Sequence, residues 1–182
     1  MATEADPVLL AARPLRESLY GELIWSRPGL FRRELKLESG SETLATLRWE
    51  KLLSFEALAE SADGRWRIGR HRLGSLRGDV VVRDAATEEP LATLTRGWRR
   101  TGELRFASGA GFTWGRAGFW RTEWFWSSAD QPRLVTFRSR LGFQSRYEME
   151  VDPAAMRLRE LPILVLLGAY LMALVSRQRS SH

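Results

Sequence analysis

The run LPILVLLGAYLMALV, Leu161 to Val175, carries no charge between Glu160 and Arg177, and no other stretch of the chain is as long and as apolar. As a helix, its fifteen residues span about 22 Å, whereas a bilayer core of about 30 Å asks for roughly 20 residues. The run therefore reads as a core helix, with a tail anchor demoted. A surface helix carries a polar stripe. Here every face is apolar, and Tyr170 supplies the only hydroxyl in the run. Such a helix has to be wrapped by protein on all sides. Pro162 suits a first helical turn, where its missing N–H loses no bond, and Arg177 and Arg179 suit the carboxyl end of the dipole. Gly168, Ala169 and Ala173 leave room for close packing, Gly168 at some cost in helix propensity.

What can wrap it is the chain that precedes it. A length of 182 residues with 44% hydrophobic content suits one domain with a sizeable core. Residues 1–19 read as an extended lead-in, since Pro7 and Pro14 oppose a continuous helix. Residues 20–182 read as a single β-barrel domain with the central helix at about 160–178. Leu19 to Trp25 is a first strand, ended by Ser26-Arg27-Pro28-Gly29. From Leu30 onward, short segments alternate apolar and polar residues between Gly, Asp, Ser and Pro. Phe31, Leu35 and Leu37 interleave with Arg32, Glu34, Lys36 and Glu38, and a Ser39-Gly40-Ser41 turn leads into Thr43 to Trp49. Further strands are expected at Phe55–Ser61, Arg65–Arg70, Asp79–Asp84, Pro90–Trp98, Glu103–Ala107, Phe112–Arg116, Phe119–Ser127, Arg133–Arg138 and Ser145–Val151, about twelve in all.

A weak internal repeat runs through them. Glu42-x-Leu44-Ala45-Thr46-Leu47 recurs as Glu89-x-Leu91-Ala92-Thr93-Leu94, and in the same register Glu56, Ser61 and Gly64 match Glu103, Ser108 and Gly111. A third, shorter copy, Leu134-Val135-Thr136-Phe137, ends in the hydrophobic helix instead of a final strand. Repeats that cannot bury their own inner faces share a core. The expected fold is mainly β: a closed antiparallel barrel of about twelve strands with the helix through its centre.

This plan, with the motifs Leu44-Ala45-Thr46-Leu47, Leu91-Ala92-Thr93-Leu94 and Asp152-Pro153, resembles the Tubby carboxy-terminal-like superfamily over residues 20 to 178. That superfamily includes the LURP-one-related proteins and the phospholipid scramblases. The resemblance implies binding of phosphoinositide-type headgroups or another role at membranes. No scramblase-type calcium loop is present in the sequence.

Catalytic constellations are nearly absent. The only histidines are His71 and His182, so a Ser-His-Asp triad would rest on His71, which at a strand end reads as structural. Gly74-Ser75-Leu76-Arg77-Gly78 lacks the G-x-S-x-G order, and Gly109-x-Gly111 leads into a strand. Asp84, Glu88 and Glu89 lack calcium-loop spacing and read as a solvated turn. No catalytic residue, metal site or cofactor is expected. There is no cysteine and no asparagine, and acidic residues stand near the amino end where a signal peptide has basic ones, so a cytoplasmic place is expected.

The net charge of +6 comes almost wholly from arginine, Lys36 and Lys51 being the only lysines. Arg65, Arg67, Arg70, Arg72 and Arg77 form the candidate anion-binding rim, with Arg65 and Arg67 on one strand face opposite Trp66 and Ile68. Trp98, Arg99, Arg100, Arg116 and Arg121 form a candidate aromatic and basic surface. The competing reading of FTWGRAGFWRTEWFW is barrel wall, with Trp124 and Trp126 on one face and Phe125 on the other. Three functions follow. The first is a non-enzymatic module at an anionic membrane surface, peripheral and contacting acidic lipid. The second is a structural module for an unidentified protein partner, and the third a small-ligand carrier or enzyme with a cavity beside the helix. Nucleic acid is disfavoured, because neither lysine-rich runs nor an RNA-recognition motif is present.

Overall fold

The computed structural model describes residues 11–29, 33–50, 55–70, 79–95, 101–117, 123–139 and 146–179. Among them, twelve strands follow one another around a ring: β1 (Leu23–Ser26), β2 (Glu34–Ser39), β3 (Glu42–Arg48), β4 (Ala57–Ser61), β5 (Gly64–Arg70), β6 (Val80–Asp84), β7 (Pro90–Thr95), β8 (Gly102–Phe106), β9 (Gly111–Ala117), β10 (Glu123–Ser127), β11 (Val135–Ser139) and β12 (Arg146–Val151). Each pairs antiparallel with the next, and β1 pairs with β12 through Leu23–Met149 and Trp25–Tyr147, so the barrel is closed. Closure removes the unpaired edges that an open sheet would expose.

Alternation fixes which side chains fill the interior. Leu35 and Leu37, Trp66 and Ile68, Val80 and Val82, Trp124 and Trp126, and Val135 and Phe137 are buried on the inner face. Small residues at Ala45, Ala57, Ala59 and Ala92 share that face and leave space for a central element. The three repeat copies fall on β3, β7 and β11, four strands apart around the ring. In each copy the residues flanking the threonine (Thr46, Thr93, Thr136) carry the same inward parity.

The central element is α2 (Leu161–Arg179), and every residue from Leu161 to Leu174 except Pro162 and Gly168 is a core hydrophobe at most 8% exposed. It touches β3 and β4 on one side and β10 and β11 on the other, which are distant in the ring. A helix on the flank of a sheet could not do both. Inward side chains bond to its backbone and hydroxyls: Trp126 Nε1 donates to the Leu164 carbonyl at 2.8 Å, and the Tyr147 and Ser176 hydroxyls lie 2.8 Å apart. At Gly168 the helix comes closest to the wall, beside Phe137 and Trp126. A 3-10 turn, Pro153–Arg157, capped by Asp152 accepting from Ala154 N at 2.8 Å, turns the chain from β12 into the barrel. Among the described residues no helix is long and apolar enough to cross a membrane.

Residues 11–19, the described part of the lead-in, are not extended throughout. Directly after Pro14, α1 (Leu15–Ser18) makes one helical turn, and β1 starts at Leu23 instead of Leu19. Leu15 and Leu19 are buried, and the Leu15 amide donates to Asp63 Oδ2 at 2.9 Å in the β4–β5 turn. Their apolarity serves to close the end of the barrel where α2 enters, and α1 touches α2 there. At the opposite end lie Ser26, Arg48, Arg70, Ala117 and Arg146, which start or finish their strands, and the last turn of α2. Residues 1–10 lie outside the described residues, as do several segments joining strands at that second end.

Candidate functional site at the arginine-bearing mouth

The expected rim residues divide. Arg65 and Arg67 leave the outer face of β5 together, but carboxylates meet both. Arg65 Nε lies 2.6 Å from Glu60, which also takes Arg48 at 3.1 Å. Arg67 lies 3.2 Å from Glu56, 3.8 Å from Glu50 and 3.0 Å from Glu88. Its Nε approach to Glu88 is not aligned as a hydrogen bond, so the contact is an ion pair only. Exposed pairs of this kind contribute about 0–1 kcal/mol each. Their effect here is to cancel charge on that face. Arg72 and Arg77 lie outside the described residues, as do His71, Trp98, Arg99, Arg100 and Arg121.

Within residues 112–117 and 123–126, the described parts of the aromatic stretch, the rings are wall. Trp114 stacks on Trp124 at 5.5 Å and tilts against Trp126 at 4.8 Å, all three buried. Arg116 lies over the Trp124 ring at 5.8 Å.

Arg116 also points to the rule that organises the mouth. It continues the inward parity of Phe112 and Trp114 past the apolar interior. Arg70 does the same after Trp66 and Ile68, Arg33 precedes inward Leu35, Trp49 follows inward Leu47, and Phe55 precedes inward Ala57. Five inward-register positions on five strands thus put three arginines and two aromatics at one end of the barrel. A charge at such a position needs water or a partner.

Side-chain contacts tie Trp49, Phe55 and Arg70 to Tyr170 and Arg177 in one cluster. Arg177, on the last turn of α2, lies over the Trp49 ring at 4.6 Å, and Trp49 stacks on Tyr170 at 6.2 Å and 17°. The Tyr170 hydroxyl donates to the Phe55 carbonyl, and Arg70 lies over the Phe55 ring at 4.4 Å. Phe55 is 50% exposed, whereas the rest of the aromatic ladder is buried. Burial holds the Tyr170 phenol well above its usual range, against the lowering effect of Arg70 and Arg177, so it stays a neutral donor. Burial also lowers the Arg177 pKa, and the nearby charges of Arg27 and Arg33 push it the same way. Like charges held this close attract an anion.

Two grooves lie on the outer wall, and neither is lined by α2. One, about 490 Å³, runs beside β1 and is lined by Glu22, Ile24, Ser26, Arg27, Glu38 and Arg146 among others. The other, about 200 Å³, lies over β11 and β12. At its edge Glu123 is clamped by Arg133 and by Arg138 at 2.9 Å. Burial raises the Glu123 carboxyl, but the two guanidiniums outweigh it and hold the pKa below the usual value. Asp84 accepts from the amides of Ala86 at 2.8 Å and Thr87 at 2.9 Å, which holds its pKa down and makes it the anchor of a turn. Among the described residues no group of three or more His, Cys, Asp or Glu is placed to hold a metal.

Phe55, Trp49 and Arg177 were not singled out by sequence reasoning as site residues, Arg177 being read only as a charge at the helix end. The signal available was the alternation itself, carried one step beyond each strand. Compared with protein-family models, curated proteins and solved structures, the chain matches none.

Proposed function

We propose that this protein is a non-enzymatic, peripheral module that sets the mouth of its barrel on an anionic membrane surface, in the cytoplasm. The observation that carries the reading is Phe55: a half-exposed ring, stacked by Arg70, in the cluster that also holds Trp49 and Arg177. An apolar ring beside guanidiniums suits the headgroup boundary, where the ring leaves water and each cation near acidic lipid contributes about 1 kcal/mol. The opposite end is plugged by α1 and also exposes Tyr20 and Arg13; what the mouth adds is a guanidinium stacked on an exposed ring. We extend the proposal to membership of the Tubby-like superfamily, which the twelve-strand barrel and its carboxy-terminal helix support.

Vesicle sedimentation over a salt series tests the reading. Vesicles with phosphatidylserine should retain the protein at low salt and release it as salt rises, and neutral phosphatidylcholine vesicles should not retain it. Phe55→Ser and Arg70→Gln should each weaken retention. Equal retention on neutral vesicles, or none on acidic ones, would overturn the proposal.

A further inference from the structure

Strand parity sorts the charges at the mouth. The acids at the strand ends there, Glu34, Glu50, Glu56, Asp79 and Glu123, each stand next to an inward residue and so face outward. Arg27 follows inward Leu23 and Trp25, and Arg33 precedes inward Leu35, so both face the interior. The segments joining strands at this end, 30–32, 51–54, 71–78, 96–100, 118–122 and 140–145, contain no aspartate or glutamate. Neither the strand ends nor the segments between them offer these two arginines a carboxylate.

Register brings a third guanidinium beside them. The Trp49 amide donates to the Arg33 carbonyl at 2.9 Å, so Arg33 lies opposite Trp49, and Arg177 lies over the Trp49 ring at 4.6 Å. β1 pairs with β2 as far as Ser26 and Lys36, and one step further Arg27 comes beside Leu35, about 7 Å along β2 from Arg33. Tyr147, opposite Trp25, meets the Ser176 hydroxyl at 2.8 Å, which fixes the last turn of α2, and Arg177 with it, against the wall. Arg27 and Arg33 lie close enough to Arg177 to lower its pKa. Among the described residues neither Arg27 nor Arg33 has an ion pair, and three donors shut off from solvent on this side, Arg27 Nε, Trp25 Nε1 and Trp49 Nε1, have no acceptor. The carboxyl end of α2 supplies only about half a negative charge against three positive ones. The deficit is about two negative charges.

We propose that Arg27, Arg33 and Arg177 together bind one phosphate group, either inorganic phosphate or the end of a monoester. Such a group carries about −1.5 to −2 charges at neutral pH and at least three acceptor oxygens, which matches the deficit. A diester or a carboxylate, with a single charge, matches it less well. Guanidiniums suit the ligand, because each presents a flat fork of donors to a pair of oxygens. The site goes beyond the docking reading, since soluble phosphate needs no membrane to reach it.

The test is a titration of the isotope-labelled full chain at constant ionic strength. Inorganic phosphate and glycerol 3-phosphate should saturably shift the amides of Arg27, Arg33 and Arg177 and the indole N–H signals of Trp25 and Trp49. Dimethyl phosphate should bind at least about tenfold more weakly. Arg27→Gln and Arg33→Gln should each weaken phosphate about tenfold, one variant serving if the other does not fold, whereas Arg105→Gln, exposed on β8, should not. No saturable shift in the parent, equal affinity for phosphate and dimethyl phosphate, or Arg105→Gln as damaging as Arg27→Gln would overturn the proposal. Vesicles separate the two sources of phosphate. Stronger retention on phosphatidic acid than on phosphatidylserine vesicles of equal charge assigns it to a lipid headgroup, and solution binding without that preference assigns it to a free phosphate. Retention on vesicles without saturable phosphate binding sinks this proposal and spares the docking reading; phosphate binding without retention does the reverse.

Discussion

Gly168→Ala puts the enclosed helix to a test of sign. In an exposed helix the change would stabilise by about 1 kcal/mol, because alanine is the better helix former. Here a Cβ at position 168 would stand 2.2 Å from Phe137 Cζ, 2.3 Å from Phe137 Cε2 and 3.0 Å from Trp126 Nε1. Carbon atoms rest at about 3.5–4.0 Å, so the ring has to retreat by more than about 1 Å. Phe137 is fully buried and packs on Trp114 at 5.8 Å, which leaves it no free side. Overpacking of this kind costs about 1–3 kcal/mol. The displaced Trp126 also weakens its bond to the Leu164 carbonyl, a further ~1 kcal/mol. Against the propensity gain, the net expectation is a loss of about 1–3 kcal/mol, or roughly 2–4 °C in Tm per kcal/mol for a chain of this size. Urea denaturation gives the number directly. Phe137→Leu in the same background should recover part of the loss, a coupling that a double-mutant cycle reads. A Gly168→Ala variant as stable as the parent, or more so, would refute the close approach of helix and wall.

Leu166→Asp or Leu171→Asp places a lone charge where there is neither water nor a partner, and circular dichroism should show the domain unfolded. An unchanged spectrum and melting curve would put the helix outside the barrel. Because the Glu123 pKa in the folded state lies below the ordinary 4.5, its ion pairs stabilise fully above that pH and are lost as pH falls through the folded value. Glu123→Gln should therefore be less stable than the parent at pH 7, with the gap closing in acid; a gap independent of pH contradicts the pairing. Asp63→Ala removes the acceptor of the Leu15 amide. Hydrogen exchange should speed at Leu15 and over α1 but not in α2.

The helix was legible because its charge-free run has no polar face, and the strands because alternation is strict between turn residues. The glycine at the β2–β3 turn, Gly40 with φ of +59°, marks one such turn. The four-residue α1 was not legible, since one turn shows no period and Pro14 argues for extension. Pairing of charges was not legible either. Arg67 draws its carboxylates from Glu50, Glu56 and Glu88, which no spacing rule connects. The mouth cluster was hidden by the same distance in sequence: Tyr170 and Phe55 are 115 positions apart. Arg70 was named as a candidate, but as a member of a basic run. Its inward register, which places it at the opening, is visible only once the strand end is known.

Orientation on a membrane is the most direct test of the functional account, because the barrel has an exposed aromatic at each end: Phe55 at the mouth and Tyr20 beside the α1 plug. Paramagnetic broadening from spin-labelled lipid in anionic nanodiscs reads which end approaches the surface. The expected result is broadening at Phe55, Glu56 and Arg70, with Tyr20, Gly40 and Asp63 untouched. Broadening centred on Tyr20, or spread evenly around the barrel, would contradict the account.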